Sequence, residues 1–317
     1  MEPNAQPNPG EIGFDPDPAS LPQRLAQARE AVRLESALPR VPRVVVNVID
    51  QLRHPGASTA SLVLEIERDP VLAAQVLRLA NSPFYAGRRQ VGSVYEAVGL
   101  IGTSALQTLV LASGITGAFG RVPGVDLRAF WLEAVATGHA ARTLARLVDA
   151  DREAAFLAGL LHGTGHLILC LLHGAKLERA LSSIRRVRGA ELVAMERAHT
   201  GLGHPEVGAA WLDGLGLPEP IVQAVALQLQ PASLDQPGLA ALLRLALAMV
   251  AALDAGVVVD EAIAQLDARA LALFDRQNKR GRAPLGERIV EPLSYWAALE
   301  PAFSSRRGAR AVAGALS

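Results

Sequence analysis

The sequence has few aromatic residues and no net charge. Phe, Trp and Tyr make up 4% of the 317 residues, so the core must consist mainly of small and aliphatic side chains, which favour helices. The 31 Lys and Arg residues equal the 31 Asp and Glu residues in number, so no long-range field attracts nucleic acid or anionic lipid. We therefore predict that nucleic acid is not a partner.

Cysteine is also scarce, and this limits the redox chemistry of the chain. Cys170 is the only one and lies in the apolar run 167–172, so an internal disulfide is excluded and a reducing compartment is favoured. We interpret Cys170 as a small buried apolar residue. The first 20 residues lack the basic and apolar regions of a secretory signal. These features predict a cytoplasmic location.

Two apolar segments are long enough to be compared with membrane spans. The first, 155–172, contains His162 and His166, and the second, 239–253, is short and contains Arg244. Ionisable residues are costly inside a bilayer, and a span needs about 20 apolar residues. We therefore predict that both are buried core helices and that the chain has no membrane span.

Helix start signals recur along the chain, whereas the alternation typical of strands does not. Seven residues are predicted to cap the N-termini of helices, because their side-chain oxygens can accept from the first free backbone N–H groups. They are Ser20, Ser58, Asp69, Ser93, Thr103, Asp126 and Asp151. Half of the residues are apolar and 20% are charged, a composition that can bury a sizeable core. The sequence predicts an all-α fold.

The same signals suggest how the helices are grouped. Residues 1–19 are rich in Pro, Asn and Asp, so we predict a flexible leader. Two packed helical subdomains are expected at 20–120 and 121–235, followed by a C-terminal helical extension at 236–317. Within that extension, 260–274 is predicted to form one amphipathic helix.

A series of short motifs resembles one known family. In chain order they are LPRVP (38–42), RDP (68–70), LRLANS (77–82), FY (84–85), AVGLIG (97–102), AGLLH (158–162), HPEVG (204–208) and GLPEP (216–220). Together, over about residues 35–230, they resemble the HDOD domain, whose name denotes an HD-related output domain. The resemblance implies an HD-domain-like helical bundle and a role in bacterial signalling.

HDOD domains are related to HD-type phosphohydrolases, whose His and Asp residues bind divalent metals that activate water. The defining His-Asp doublet is here His162-Gly163, and glycine has no side chain to bind metal. Glu133 stands where the upstream histidine is expected, His204 matches a family histidine, and 228–230 (Gln-Leu-Gln) replaces a histidine pair. The resemblance thus implies a degenerate pocket with no metal, no cofactor and no catalysis.

Two other interpretations of these histidines were weighed. His162 and His166 are four residues apart, which is the spacing of a zinc-binding pair on one helix face. Gly163 and Gly165 lie between them, however, and predict either a helix break or very close packing. The alternative is that His162 hydrogen-bonds a backbone carbonyl or His204 inside a packed pocket.

The leading functional hypothesis is a non-catalytic signalling output or scaffold module that binds a protein partner. The alternatives are a metal-dependent phosphohydrolase acting on a nucleotide or phosphoester, and a protein that binds a small molecule in the degenerate pocket. The candidate partner surface consists of Phe84, Tyr85, Arg88 and Arg89, because aromatic residues and arginine dominate interface energies. The competing interpretation is that Phe84 packs inside the bundle.

Overall fold

The computed structural model consists of helices joined by turns. It describes residues 13, 17, 20–35, 37–53, 59–81, 90–182, 188–231, 235, 237–257, 259–264, 266–276 and 282–289. The helices are α1 (Leu21–Leu34), α2 (Arg43–Arg53), α3 (Thr59–Glu67), α4 (Pro70–Ala80), α5 (Val94–Ile101), α6 (Thr103–Ala118), α7 (Leu127–Leu147), α8 (Arg152–Leu161), α9 (Thr164–Ser182), α10 (Gly189–Thr200), α11 (His204–Leu215), α12 (Glu219–Leu227), α13 (Leu239–Asp254), α14 (Val259–Ala264) and α15 (Ala268–Arg276). No strand occurs among the described residues, and the predicted all-α fold is confirmed.

Four of the seven predicted caps are confirmed. Ser20 stands at the N-cap position of α1, but its side chain makes no capping hydrogen bond, and Ser58 lies outside the described residues. The side chains of Asp69, Ser93, Asp126 and Asp151 each accept a hydrogen bond from a backbone N–H in the first turn of the helix that follows. The prediction for Thr103 was wrong, because α6 begins one residue earlier than expected. Gly102 is the N-cap of α6 and has φ +83°, a conformation that glycine adopts without strain.

The C-terminal extension differs from its prediction in one element. The single helix expected at 260–274 is instead two helices, α14 and α15. Asp267 separates them, because its carboxylate accepts from the backbone N–H groups of Arg269 and Ala270. An aspartate inside an apparently amphipathic stretch therefore served as a cap and started a new helix.

Both consequences predicted for the paired glycines are present. The chain leaves the helical path at His162 and Gly163, which form a turn between α8 and α9. At Gly165 the packing is so close that a Cβ atom would lie 2.0 Å from the backbone oxygen of His204. The glycines thus permit a turn between the helices α8 and α9 and a direct backbone contact between α9 and α11.

The main core extends from α1 to α13 and includes four buried aromatic residues, Phe119, Trp131, Phe156 and Trp211. The Phe119 ring packs against Trp131 and Trp211, with centroid separations of 5.9 and 5.3 Å. A second core joins the C-terminal half of α7 and α8 to α13–α15, and it contains Leu144 and Met249. Small and aliphatic side chains supply most of both cores, in agreement with the low aromatic content.

One apolar segment of the described chain could cross a membrane by length and composition. It is Arg152–Gly174, and 78% of its most apolar window is buried inside the protein. The predicted burial of 155–172 and of 239–253 is confirmed, and even Arg244 is 5% exposed. Arg244 donates to the backbone oxygen of Gly13, which, with Asp17, is the described part of the predicted leader.

Candidate functional site

Gly163, in the position of the family aspartate, faces an aromatic ring. A Cβ atom added there would lie 3.0 and 3.1 Å from two ring carbons of Phe130. Such contacts are shorter than ordinary van der Waals separations, so a carboxylate at this position would require the ring to move. The structure therefore lacks the aspartate, and any side chain at 163 would have to displace the Phe130 ring by a few tenths of an ångström.

His162 is the C-cap of α8 and hydrogen-bonds the backbone. Its Nδ1 lies 2.7 Å from the carbonyl oxygen of Gly159, and since a carbonyl only accepts, Nδ1 donates. The predicted bond to a backbone carbonyl is confirmed. Burial lowers the pKa of His162 to about 4, with smaller contributions from His204 and Arg188, so the ring is neutral near pH 7.

The glutamine in the downstream position has a structural role. Gln228 is 1% exposed, and its Nε2 donates to the backbone oxygens of His162 and Val225 at 3.1 and 3.0 Å. The amide nitrogen therefore fixes the end of α12 against the turn between α8 and α9. Because two carbonyl groups hold its amide, Gln228 is not oriented as a metal ligand.

Glu133, at the position of the upstream histidine, forms an ion pair. Arg188 Nη2 lies 3.3 Å from Glu133 Oε2 and 2.7 Å from Asp254 Oδ2. One guanidinium thus links the middle of α7 to the end of α13. The negative charge of Glu133 is balanced by an arginine of the same chain.

His204 belongs to a buried network that centres on Glu196. The Glu196 side chain is 0% exposed. Its Oε2 accepts from the Nδ1 and the backbone N–H of His204, both at 2.8 Å, and its Oε1 accepts from the Nδ1 of His166 at 2.7 Å. On the far side of the His166 ring, Nε2 lies 3.6 Å from the sulfur of Cys170. The carboxylate is therefore shared by two imidazole rings.

The network favours charged groups in spite of its burial. For Glu196, burial opposes ionisation, but the nearby His204 and His166 outweigh it and lower the pKa to about 2. For His166, burial opposes protonation, but hydrogen bonds with Cys170 and Glu196 raise the pKa to about 10. The carboxylate and the His166 imidazolium thus form a buried ion pair near pH 7.

Sequence reasoning missed Glu196, although the sequence contains a signal for it. Val193, Glu196 and Thr200 are spaced so that they share one face of α10, and Val193 is 1% exposed. A glutamate on an apolar helix face predicts a buried partner. Glu196 lies between the family motifs at 158–162 and 204–208, so a comparison of motifs overlooked it.

The residues present do not fit the metal site of the related HD-type phosphohydrolases. Among the residues that the structure describes, no three His, Cys, Asp or Glu side chains are arranged to hold one metal ion. The zinc-pair alternative is likewise unsupported, because His162 and His166 hydrogen-bond different partners, the carbonyl of Gly159 and the carboxylate of Glu196. His166 and His204 join α9, α10 and α11 through Glu196, whereas the His162 ring bonds within its own helix.

The candidate partner surface, which comprises Phe84, Tyr85, Arg88 and Arg89, lies outside the described residues. The structure does describe the points where the chain enters and leaves it. The Asn81 amide donates to the backbone oxygen of Val91 at 2.9 Å, and the backbone N–H of Val91 donates back at 2.8 Å. This reciprocal pair holds the two ends of the segment close together.

Comparison with known proteins places the chain in a family. The model of the HDOD domain matches residues 38–231, which is more than half of the chain. The chain belongs to the HDOD family. The predicted family is thereby confirmed, and the structure shows its HD-like helical fold.

Solved structures share this fold. A candidate phosphohydrolase from Shewanella amazonensis SB2B is 26% identical, with a TM-score of 0.70 and coverage of 97% of this chain and 100% of the other. An HDOD domain protein from Geobacter sulfurreducens is 21% identical, with a TM-score of 0.71 and coverage of 89% and 98%. A candidate signal transduction protein from Marinobacter aquaeolei VT8 is 23% identical, with a TM-score of 0.58 and coverage of 92% and 68%.

An uncharacterized protein from Treponema pallidum (strain Nichols) is a further relative. It is 25% identical over 190 residues, which cover 59% of this chain and 37% of the relative. The match thus spans little more than a third of that protein's length.

Proposed function

We propose that this HDOD protein is a non-catalytic signalling output module that acts through contacts with a protein partner. The observation that carries the proposal is Gly163 itself, which stands in place of the carboxylate that metal-dependent hydrolysis needs and has the Phe130 ring within 3.0 Å of where a Cβ atom would lie. The Arg188–Glu133 pair supports it. With Glu133 paired to an arginine of the same chain and no side chain at 163, too few ligands stand together among the described residues to bind a bridged pair of divalent metals.

Two further observations support the signalling role and its location. The protein from Marinobacter aquaeolei, which shares the fold, is named for signal transduction. Cys170 is unpaired and buried, as expected of a protein that works in a reducing compartment. We therefore assign the module to the cytoplasm.

The partner surface that we propose is the segment with Phe84, Tyr85, Arg88 and Arg89. Aromatic side chains and arginine contribute most to interface energies, and aromatic residues are rare in this chain. The Asn81–Val91 pair holds the two ends of the segment together. A closed segment presents its side chains with less loss of conformational entropy on binding than an open one.

Charge reversal tests this surface. The double variant Arg88→Glu with Arg89→Glu should weaken capture of the native partner by about tenfold or more, because rim charges steer association. Its melting temperature should stay near that of the wild type if the two arginines act on the partner and not on the fold. The exposed residues Arg146 and Arg152, changed to Glu together, form the matched control and should leave capture unchanged. Full partner binding by the first variant would remove this segment as the output surface.

A second candidate function is metal-dependent phosphoester hydrolysis. One observation favours it: His162 and His204 each use Nδ1 for a hydrogen bond, an arrangement that in metal sites orients Nε2 toward the ion. Metal analysis of the purified protein, followed by a phosphodiesterase screen, separates the two functions. We expect less than one tightly bound transition metal per chain and no turnover. Stoichiometric iron, manganese or zinc after dialysis would favour the hydrolase.

A further inference from the structure

The first helix, α1, lies outside the part of the chain that the HDOD model matches, residues 38–231, and packs along α11. It contacts the rest of the protein through one face of the helix. Of its 14 residues, only Leu21, Arg24 and Ala28 are buried, with Leu25 and Val32 partly buried against the main core. Little apolar area is therefore lost if α1 leaves α11.

The strongest identified contact of α1 is an ion pair rather than an apolar one. Arg24 Nε lies 2.6 Å from Glu206 Oε1, and the two side chains are 9% and 0% exposed. A second pair, Arg29–Asp213 at 3.2 Å, is largely exposed and adds little. The attachment of α1 thus depends heavily on one buried charge pair.

Glu206 has another cation that does not belong to α1. Arg197 of α10 also donates to Glu206 Oε1. Removal of one partner from a buried ion pair is usually very costly, because it leaves an uncompensated charge. Here the carboxylate keeps an arginine when Arg24 withdraws. The free-energy cost of breaking the Arg24–Glu206 pair is therefore smaller than usual when α1 is the part that leaves.

The connection to α2 permits such a movement. α1 ends at Glu35, which has an extended backbone with ψ 115°, and no helix begins again until Arg43. Pro39 and Pro42 lie in this link, and proline prevents α1 and α2 from joining as one continuous helix. The link can change its direction without loss of a helical turn.

We propose that α1 is a releasable strap: it separates from α11 as a unit and uncovers the Glu206 face of that helix, while the HDOD helices stay folded. The uncovered helix is also the one that bears His204 and through it contacts Glu196. The inference goes beyond the proposed output surface, because it requires no knowledge of the partner.

Hydrogen exchange of the full-length protein, followed by mass spectrometry, tests the strap. In the wild type, α1 amides should exchange about tenfold or more faster than α11 amides, through an opening that does not involve the core. Arg24→Gln should raise α1 exchange by about tenfold or more again, because it removes a hydrogen bond between charged groups, and should leave α11 exchange much less affected. Arg33→Gln, which changes an exposed pair with Glu30 inside α1, is the control and should have little effect.

The second arginine provides a test of opposite sign. Arg197→Gln leaves Arg24 as the only one of these two arginines beside Glu206, so departure of α1 would then leave the carboxylate uncompensated. Exchange of α1 relative to α11 should therefore slow in Arg197→Gln and quicken in Arg24→Gln. Equal exchange of α1 and α11 in the wild type would overturn the proposal, and this measurement needs no variant. A parallel change of both helices in the two variants would overturn it as well.

Discussion

His162 and His166 are one helical turn apart in sequence, yet their surroundings shift their pKa values in opposite directions. His162 donates to a carbonyl, and its pKa falls to about 4. His166 donates to the carboxylate of Glu196, and its pKa rises to about 10. Both rings lie at the break between α8 and α9. Burial lowers the pKa of both rings, but at His166 the hydrogen bonds with Cys170 and Glu196 outweigh it.

The difference between the two histidines shows that buried polar residues remain in a region where the positions of the HD-type metal ligands hold other residues. On the His162 side, the ligand positions hold a glycine, a glutamine bonded to carbonyl groups, and a glutamate paired with arginine. On the His166 side, a buried ion pair connects three consecutive helices, α9, α10 and α11. On the first side the described residues include no cluster of metal ligands, whereas the second side joins three helices.

The largest effect should come from removal of the shared carboxylate. Glu196→Ala leaves the two imidazoles and the His204 N–H without their acceptor, and loss of one partner of a buried ion pair costs about 3–5 kcal/mol. The free energy of unfolding from urea titration measures this cost. Glu191→Ala, an exposed change in the same helix, should cost less than about 1 kcal/mol. Equal losses in the two variants would remove the distinction between the two sides.

The second effect is a pH dependence that belongs to His166. Folded His166 keeps its proton up to about pH 10, whereas an unfolded histidine loses it near pH 6.5. Its stabilising charge is therefore fully present below about pH 6.5 and is lost as the pH rises toward 10. We expect the free energy of unfolding to fall over this range in the wild type. In His166→Gln that fall should be much smaller; a fall of the same size would show that His166 is not its source.

The third effect concerns the residue between the two histidines. Gly163→Asp places a carboxylate against Phe130 and should lower stability by about 1–3 kcal/mol through overpacking. It should give no phosphodiesterase turnover with added manganese or iron, since the other ligands are missing. The free energy of unfolding of Gly163→Ala, which adds a methyl group without a charge, separates the steric contribution from that of the carboxylate. Turnover in the aspartate variant would show that the His162 side still has a working pocket.

The smallest effect should be the acid response of His162. Its folded pKa of about 4 lies below the unfolded value, so the unfolded chain takes up the proton first as the pH falls from about 6.5. Stability should decline between about pH 6.5 and 4, and His162→Gln should reduce that decline. His139, whose pKa burial lowers to about 3, contributes in the same range. In His162→Gln, the fall in the free energy of unfolding with decreasing pH should therefore be smaller but still present. An unchanged fall would contradict the assignment of this response to His162.

Local features of the fold could be predicted from the sequence, whereas partners distant in the chain could not. Asp126 and Asp151 were correct as caps because a cap depends on the next three residues. Glu196 and His166 are 30 residues apart, and their pairing depends on how three helices pack. Thr103 was wrong for a related reason: its hydroxyl lies 3.2 Å from that of Thr59, on α3.

The candidate site likewise has features that could be predicted from the sequence and features that could not. The doublet His162-Gly163 and the glutamine at 228 could be recognised from motif order alone, and they indicated a degenerate pocket. The ring of Phe130 over Gly163 could not be predicted, because the contact joins two helices with no shared motif. The Arg188 pair with Glu133 spans 55 residues and leaves no local pattern.

The contact at Gly165 has a consequence for how the protein tolerates mutation. A Cβ atom at 165 would meet the backbone of His204 and Gly208, so the spacing of α9 and α11 is set by main chain on both sides. Side chains elsewhere in the core can exchange volume with their neighbours, but two touching backbones cannot. Substitutions in the surrounding aliphatic core should therefore leave His166 and His204 aligned on one carboxylate, whereas a single methyl group at 165 would move them apart.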